Sequence, residues 1–316
     1  MKRALPARPN LEHLKSQAKD LLRAFRRKEQ AALERFQTEL PAARGLDLER
    51  ISALDLKLYD AQSVIAREYG FASFAELSAH VERPRLEPET LRALIEPHLK
   101  MPLPDAVQQA LLGGLYEPPT TVALPPLLPL LPIRNAVLAM GAVAPFHIGR
   151  ESSLQAVEAA RNGAGVLAVF AQKEETVEAP DAAALHPVGC AARLLEVVPQ
   201  HAGAWIAVRA TAWIRLEALE QREPYLTARI APFAVVESGD ATELERELRE
   251  RVQTFVERLP APEYLRAITE RMSALELADA AIANLPCTVE EKARYASEPD
   301  LVRRIEYVLL LLERAA

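Results

Sequence analysis

An α+β protein is predicted, with helical units at both ends and a sheet that closes on itself between them. Three features predict it. Apolar residues recur at helical spacing before residue 83 and after residue 240, strand-like runs fill most of residues 127–236, and eleven of the 24 prolines fall between Pro84 and Pro132. These features set four segments: a small helical domain at 1–83, a proline-rich connector with short helices at 84–126, a strand-rich subdomain at 127–239 and a C-terminal helical bundle at 240–316.

The first helix is expected over 11–28, where Leu11, Leu14, Ala18, Leu21, Leu22 and Phe25 form one stripe behind Asn10, a good N-cap. A second is expected from Leu54 to Tyr69, stopping at Gly70, and a third begins after Ser73, whose partner Glu76 completes a capping box. In the connector, Glu89–Ile95 and Asp105–Leu112 read as short helices, the latter closing at Gly113-Gly114. Strands are expected at Leu127–Arg134, Gly165–Gln172, Val188–Val198, Ala204–Leu216 and Tyr225–Val236, with a helix near Glu151–Arg161. Several are long for strands, which predicts bends or bulges in a closed sheet. Alternation in the fourth puts Trp205, Ala207, Arg209, Thr211 and Trp213 on an outward face and Ile206, Val208, Ala210, Ala212 and Ile214 on the core side. Leu244, Leu248, Val252 and Phe255, and later Leu301, Ile305, Val308 and Leu312, return to the helical period.

The 316 residues are 50% hydrophobic and 26% charged, with 38 basic against 44 acidic side chains, so the chain has material for real cores and is no disordered polyelectrolyte. A net charge of -6 argues against non-specific nucleic-acid binding by the whole chain. The charge is uneven: residues 1–83 carry +3 and residues 240–316 carry -5. The run Leu124–Ile133 is broken by four prolines and is far shorter than the roughly 20 residues of a membrane span. After Met1-Lys2-Arg3, residues Pro6, Arg8 and Pro9 leave no apolar signal core, so a cytoplasmic protein is expected. Cys190 and Cys287 are expected as buried thiols.

Motifs for chemistry are few. There is no G-x-x-x-x-G-K-[ST] run to cradle phosphates, no G-x-S-x-G elbow and no H-E-x-x-H pair. Gly163-Ala-Gly165-Val-Leu-Ala168 fits G-x-G-x-x-A but leaves a helix and enters a strand, the reverse of a dinucleotide fingerprint. His147, His186 and Cys190 suggest a metal only weakly, since the thiol has no C-x-x-C partner. Glu174-Glu175 and Glu290-Glu291 are adjacent acids for which solvated roles are the default. No catalytic residue, cofactor or metal is expected.

The segment Leu128-Pro-Leu-Leu-Pro-Ile-Arg134-Asn-Ala-Val137, with Gly141, Pro145 and Ile148-Gly149-Arg150, is followed in order by Ala171-Gln172-Lys173, Val188-Gly189-Cys190-Ala-Ala192-Arg193-Leu194, Pro224-Tyr225-Leu226-Thr-Ala228-Arg229-Ile230, Leu277-Ala278-Asp279 and Glu290-Glu291-Lys292. This series resembles the N-terminal substrate-binding domain of Lon proteases from about Leu127 to the end. The resemblance implies a PUA-like six-stranded pseudo-β-barrel followed by a helical bundle, and protein binding without unfolding or cleavage, because the sequence stops where the ATPase of that family would begin. The stretches Asn10-Leu-Glu-His-Leu-Lys-Ser-Gln-Ala-Lys19 and Ala66-Arg67-Glu68-Tyr69-Gly70-Phe71 look like a helical segment that precedes ankyrin repeats in some bacterial proteins.

The expected function is therefore that of a non-catalytic, bacterial protein-binding module. It would recognise exposed apolar or unfolded segments of client proteins or act as an adaptor to a protease, and it is expected to self-associate. Met140, Phe146, Trp205 and Trp213 are the candidate contact residues, because Met and aromatic side chains carry most of the affinity of such patches. The alternative is an RNA-associated protein, suggested by Lys15, Lys19, Arg23, Arg26, Arg27 and Lys28 on the first helix and opposed by the acidic balance of the barrel segment.

Overall fold

The computed structural model describes residues 5–6, 9–82, 87–95, 99, 101–115, 124–259 and 261–315. Met1-Lys2-Arg3 and the connector residues 116–123 lie outside them. The described residues fall into two compact units, one ending at Glu82 and one beginning at Glu87.

The first unit is helical. α1 (Leu11–Arg26) starts where the Asn10 side chain accepts the backbone N–H groups of Glu12 and His13, and it buries the predicted stripe except Leu11, which is half-buried. Two α-helices escaped the periodicity, α2 (Gln30–Glu39) and the five-residue α3 (Leu48–Ser52), which Asp47 caps, as did the short 3-10 turn Pro41–Ala43 between them. α4 (Leu58–Glu68) begins four residues later than the pattern suggested, because the Asp60 carboxylate takes the Lys57 N–H and fixes the first turn there. Gly70, at φ 89°, ends it. In α5 (Phe74–Val81), Ser73 accepts from the Glu76 N–H, and Glu76 in turn accepts the N–H of Ala72. Phe25 and Phe36 meet edge to face at 4.9 Å in the core.

The second unit is built on a six-stranded sheet. Its elements in chain order are α6 (Pro88–Ile95), α7 (Asp105–Leu115), β1 (Leu127–Ile133), β2 (Val143–Ile148), α8 (Glu151–Asn162), β3 (Val166–Ala171), β4 (Val188–Gln200), β5 (Gly203–Gln221) and β6 (Thr227–Pro232). The helices α9 (Thr242–Val256), α10 (Pro262–Thr269), α11 (Ala274–Asn284), α12 (Val289–Ala296) and α13 (Leu301–Ala315) follow. The strand order is β2-β5-β4-β3-β1-β6, and a further β5–β6 pairing closes five of the strands into a ring. β1 and β3 are parallel, joined through α8, and the other pairs are antiparallel. The 19-residue β5 makes this possible: its first half pairs with β2 and its second with β6.

Leu128, Leu130, Val166, Phe170, Ile214 and Ile230 belong to a buried cluster drawn from ring strands and the loops between them, without any helix, which is the barrel interior. A second cluster packs Leu131, Val169, Cys190 and Ile206 from the other side of the sheet against Val157 of α8, Leu248 of α9, Leu277 of α11 and Ile305 of α13. A third joins Leu91 of α6 and Val107 and Leu111 of α7 to Trp205 and Ala207. α7 does not stop at its glycines as expected. A Cβ on Gly114 would stand 2.5 Å from Leu195 Cδ1, so the residue is a point of close approach between helix and sheet, not a terminator.

The even-odd alternation of β5 changes phase at one residue. Ala210 pairs with Ala192 but Ala212 pairs with Ala191, leaving Thr211 as an extra residue whose hydroxyl donates to the Ala191 carbonyl at 3.0 Å. Ahead of this bulge the even residues Ile206, Val208 and Ala210 face the helical bundle; after it Trp213 does, while Ala212 and Ile214 line the barrel interior. The expectation of one outward face bearing both tryptophans is corrected accordingly: Trp205 and Trp213 are 3% and 6% exposed, buried under different helices.

Candidate functional site

The four expected contact residues separate into two pairs. Trp205 lies beneath α7, with the His147 ring edge-on to it at 5.4 Å. Trp213 reaches into the bundle, where its indole N–H donates to Asp279 Oδ2 at 3.3 Å. Neither is accessible to a partner. Met140 and Phe146 are half-buried, packed by one side against the cluster under the bundle. Met140 sits in the connection between β1 and β2, which turns at Asn135 and Gly141, both at positive φ (57° and 76°), and is anchored by buried Leu138 and Ala139. Phe146 is on β2 itself. Met140, in the β1–β2 connection, and Phe146, on β2, thus stay half-buried, whereas both tryptophans are buried beneath helices.

Asp279 is the centre of a buried network that pattern reading missed. Its Oδ1 accepts the Tyr295 hydroxyl at 2.6 Å and Arg304 Nη1 at 3.1 Å. Arg304, fully buried, also donates to the carbonyls of Glu298 (2.7 Å) and Ala296 (2.9 Å), and its guanidinium lies over the rings of Trp213 (5.1 Å) and Tyr295 (4.6 Å). Burial pushes the Asp279 carboxyl up to about 6, against the pull of Tyr295, Arg304 and Trp213. β5, α11, α12 and α13 are pinned together by these groups. The signal was present in the sequence as one acid within the apolar run of α11 and one arginine on the buried stripe of α13.

Of the other sequence candidates, Cys190 and Glu291 have structural partners, whereas the buried Nε2 of His186 has no hydrogen-bond partner among the described residues. The Cys190 thiol, pushed up by burial, donates to the Leu138 carbonyl at 3.0 Å and so ties the β1–β2 connection to β4. Glu291 caps α12 through the Thr288 N–H and pairs with both terminal nitrogens of Arg314, which holds its carboxyl at about 2. Burial and Lys173 hold His186 below the usual histidine range. Among the described residues, no three His, Cys, Asp or Glu side chains are placed to share a metal ion, and no helix is long and apolar enough to cross a membrane.

β2 has a geometry of its own. It pairs with β5 on one side, and no described strand pairs with the other. The Ala210 N–H donates to the Ala142 carbonyl at 2.9 Å, which sets the phase of the ladder. Ala144, Phe146 and Ile148 therefore direct their main-chain groups toward β5, and Val143, Pro145 and His147 direct theirs away from it. Pro145, which has no N–H, occupies a position where the ladder needs none.

Residues 127–314 match the family of the ATP-dependent protease La (LON) substrate-binding domain. The Lon protease of Anaeromyxobacter dehalogenans (strain 2CP-C) is 31% identical over 199 residues, 60% of this chain and 23% of that protein. Lon protease 2 of Myxococcus xanthus is 31% identical over 199 residues, 60% of this chain and 24% of its own length. The chain thus spans about a quarter of the length of these curated relatives. Among solved structures, the N-terminal domain of Mycobacterium avium complex Lon protease superposes with a TM-score of 0.51 at 18% identity, covering 60% of this chain and 100% of that one, a likeness of fold. Its barrel and bundle make this chain a member of the Lon substrate-binding domain family.

Proposed function

We propose that the barrel and bundle form a non-catalytic module that binds exposed apolar or unfolded segments of other proteins and serves as an adaptor for their proteolysis. The observation that carries the reading is the match of residues 127–314 to a substrate-binding domain family. Met140 and Phe146 are the contact residues of this proposal: they are the two candidates left half-buried, one in the β1–β2 connection and one on β2, and both are side chains suited to apolar recognition.

The test is a titration of the full chain into fluorescein-labelled carboxymethylated α-lactalbumin, a permanently unfolded polypeptide, read by fluorescence anisotropy. Saturable binding, weakened about tenfold by Met140→Ser together with Phe146→Leu, is expected, that factor corresponding to about 1.4 kcal/mol. Equal response to the folded, disulfide-intact protein, or none to either, would overturn the reading. Preference for an RNA oligonucleotide with a steep loss on adding salt would move the assignment to RNA association. Adaptor action is read separately, as faster degradation of the same unfolded probe when the chain is added to an ATP-dependent protease.

A further inference from the structure

We infer that the outer edge of β2 is where the bound segment docks, adding to the sheet as an extended strand recognised through its main chain. The inference rests on the protein-binding reading above and gives it a mode. The N–H and C=O of Val143, the C=O of Pro145 and the N–H and C=O of His147 point away from β5 with no described strand to receive them. Such a row of groups specifies its occupant, because another β-strand satisfies it at the repeat of the ladder. β2 has six residues, so about six residues of partner chain suffice.

Apart from the exposed His147, the side chains on both faces of the edge are apolar. Val143 packs toward the α7 side, and Ala144 and Phe146 toward the bundle side, against the cluster that Met140 also meets. An added strand would therefore find apolar neighbours for its alternate side chains above and below the sheet, a preference for apolar over charged segments without a fixed sequence.

Pro145 argues for a different polypeptide over a second copy of this chain. Two β2 strands paired about a twofold axis bring two prolines to the seam, so that whether the axis falls at Pro145 or at Phe146 two carbonyls are left without a donor. An unrelated segment supplies an N–H to the Pro145 carbonyl at that position. The proline thus disfavours self-pairing and leaves strand addition open.

The experiment compares two kinds of peptide, three peptides in all, on the full chain. One is a soluble fluorescein-labelled decapeptide with alternating Val and Thr at its centre and Lys at its ends. The other has the same sequence with N-methyl groups on alternate central residues, prepared in both phases. One methylated phase should bind about tenfold more weakly than the parent, the effect of losing one or two main-chain hydrogen bonds, and the other phase should bind nearly as well. Hydrogen exchange at the amides of Val143 and His147 should slow on adding the parent peptide. Equal binding by all three peptides, or binding without protection of those amides, overturns edge docking while leaving the binding of unfolded protein intact. No binding of any peptide, in a preparation that binds carboxymethylated α-lactalbumin, overturns it as well. Protection of the same amides without peptide, together with a dimer in light scattering, assigns the edge to a second copy instead.

Discussion

Two arginine–carboxylate pairs do the same chemical job at different depths, one in each unit. Arg35 holds Glu68 through two hydrogen bonds of 2.6 and 2.8 Å between α2 and α4, with the arginine side chain 32% exposed. Arg304 holds Asp279 between α13 and α11 with both side chains at or below 2% exposure. Although Glu68 is only 9% exposed, water can take over Arg35 when the first pair is broken. It cannot reach the second, which is why the fold surrounds Arg304 with two carbonyls and two aromatic rings in addition to its carboxylate. A charge that water reaches needs few fixed partners; a charge in the core needs many.

The largest expected effect tests that contrast directly. Arg304→Met should lower unfolding stability by about 3–5 kcal/mol, because Asp279 is left buried without its counter-charge. Adding Asp279→Leu to the same protein should recover a large part of the loss; if the double variant is no more stable than the single one in urea titration, the penalty is not electrostatic. Next comes pH. The folded-state pKa of Asp279 is about 6, above the usual 3.8, so the native state holds this proton more tightly than the unfolded chain between those values. Its contribution is fully present below about pH 4 and is lost as pH rises through about 6. Stability of the wild type relative to Asp279→Asn should therefore fall by about 2–3 kcal/mol from pH 4 to pH 7, and a flat difference would place the carboxyl in its ordinary range. Trp213→Phe should cost about 1–2 kcal/mol by removing the donor to Asp279 Oδ2 while keeping most of the ring. Arg35→Met should cost the least, about 1 kcal/mol, and its effect should shrink in high salt while that of Arg304→Met does not.

The same contrast between local and distant partners explains what was legible in the sequence. α1, with Asn10 ahead of a clean apolar stripe, and α5, with Ser73 and Glu76, could be read because every cause lies within four residues. The family resemblance carried the barrel and the bundle, and the match over residues 127–314 agrees with it. β2 was absent from the strand pattern because its residues are mostly half-buried and interrupted by Pro145, so no alternation marks it. The burial of Trp213 was hidden by Thr211: strict alternation holds only until a bulge inserts one residue, and nothing local announces that Ala191 and Ala192 will skip it. Gly114 was misread for a related reason, since a helix C-terminus and a close helix–sheet contact both ask for a residue without a side chain. Of the candidate site, residue type pointed to Met140 and Phe146, whereas the open edge beside them is a property of topology and emerges only when β5 is shared between two partners.

Closure of the ring has a consequence for how the chain is made. Leu127 and Leu128 pair with Arg229 and Ala228, about a hundred residues later, so β1 leaves the ribosome long before the strand that seals it exists. During that interval Leu127-Leu-Pro-Leu-Leu-Pro-Ile133 is a newly made apolar strand without its final neighbour. Pro129 and Pro132, which withhold amide donors from any chance pairing, make it a poor seed for aggregation until β6 arrives.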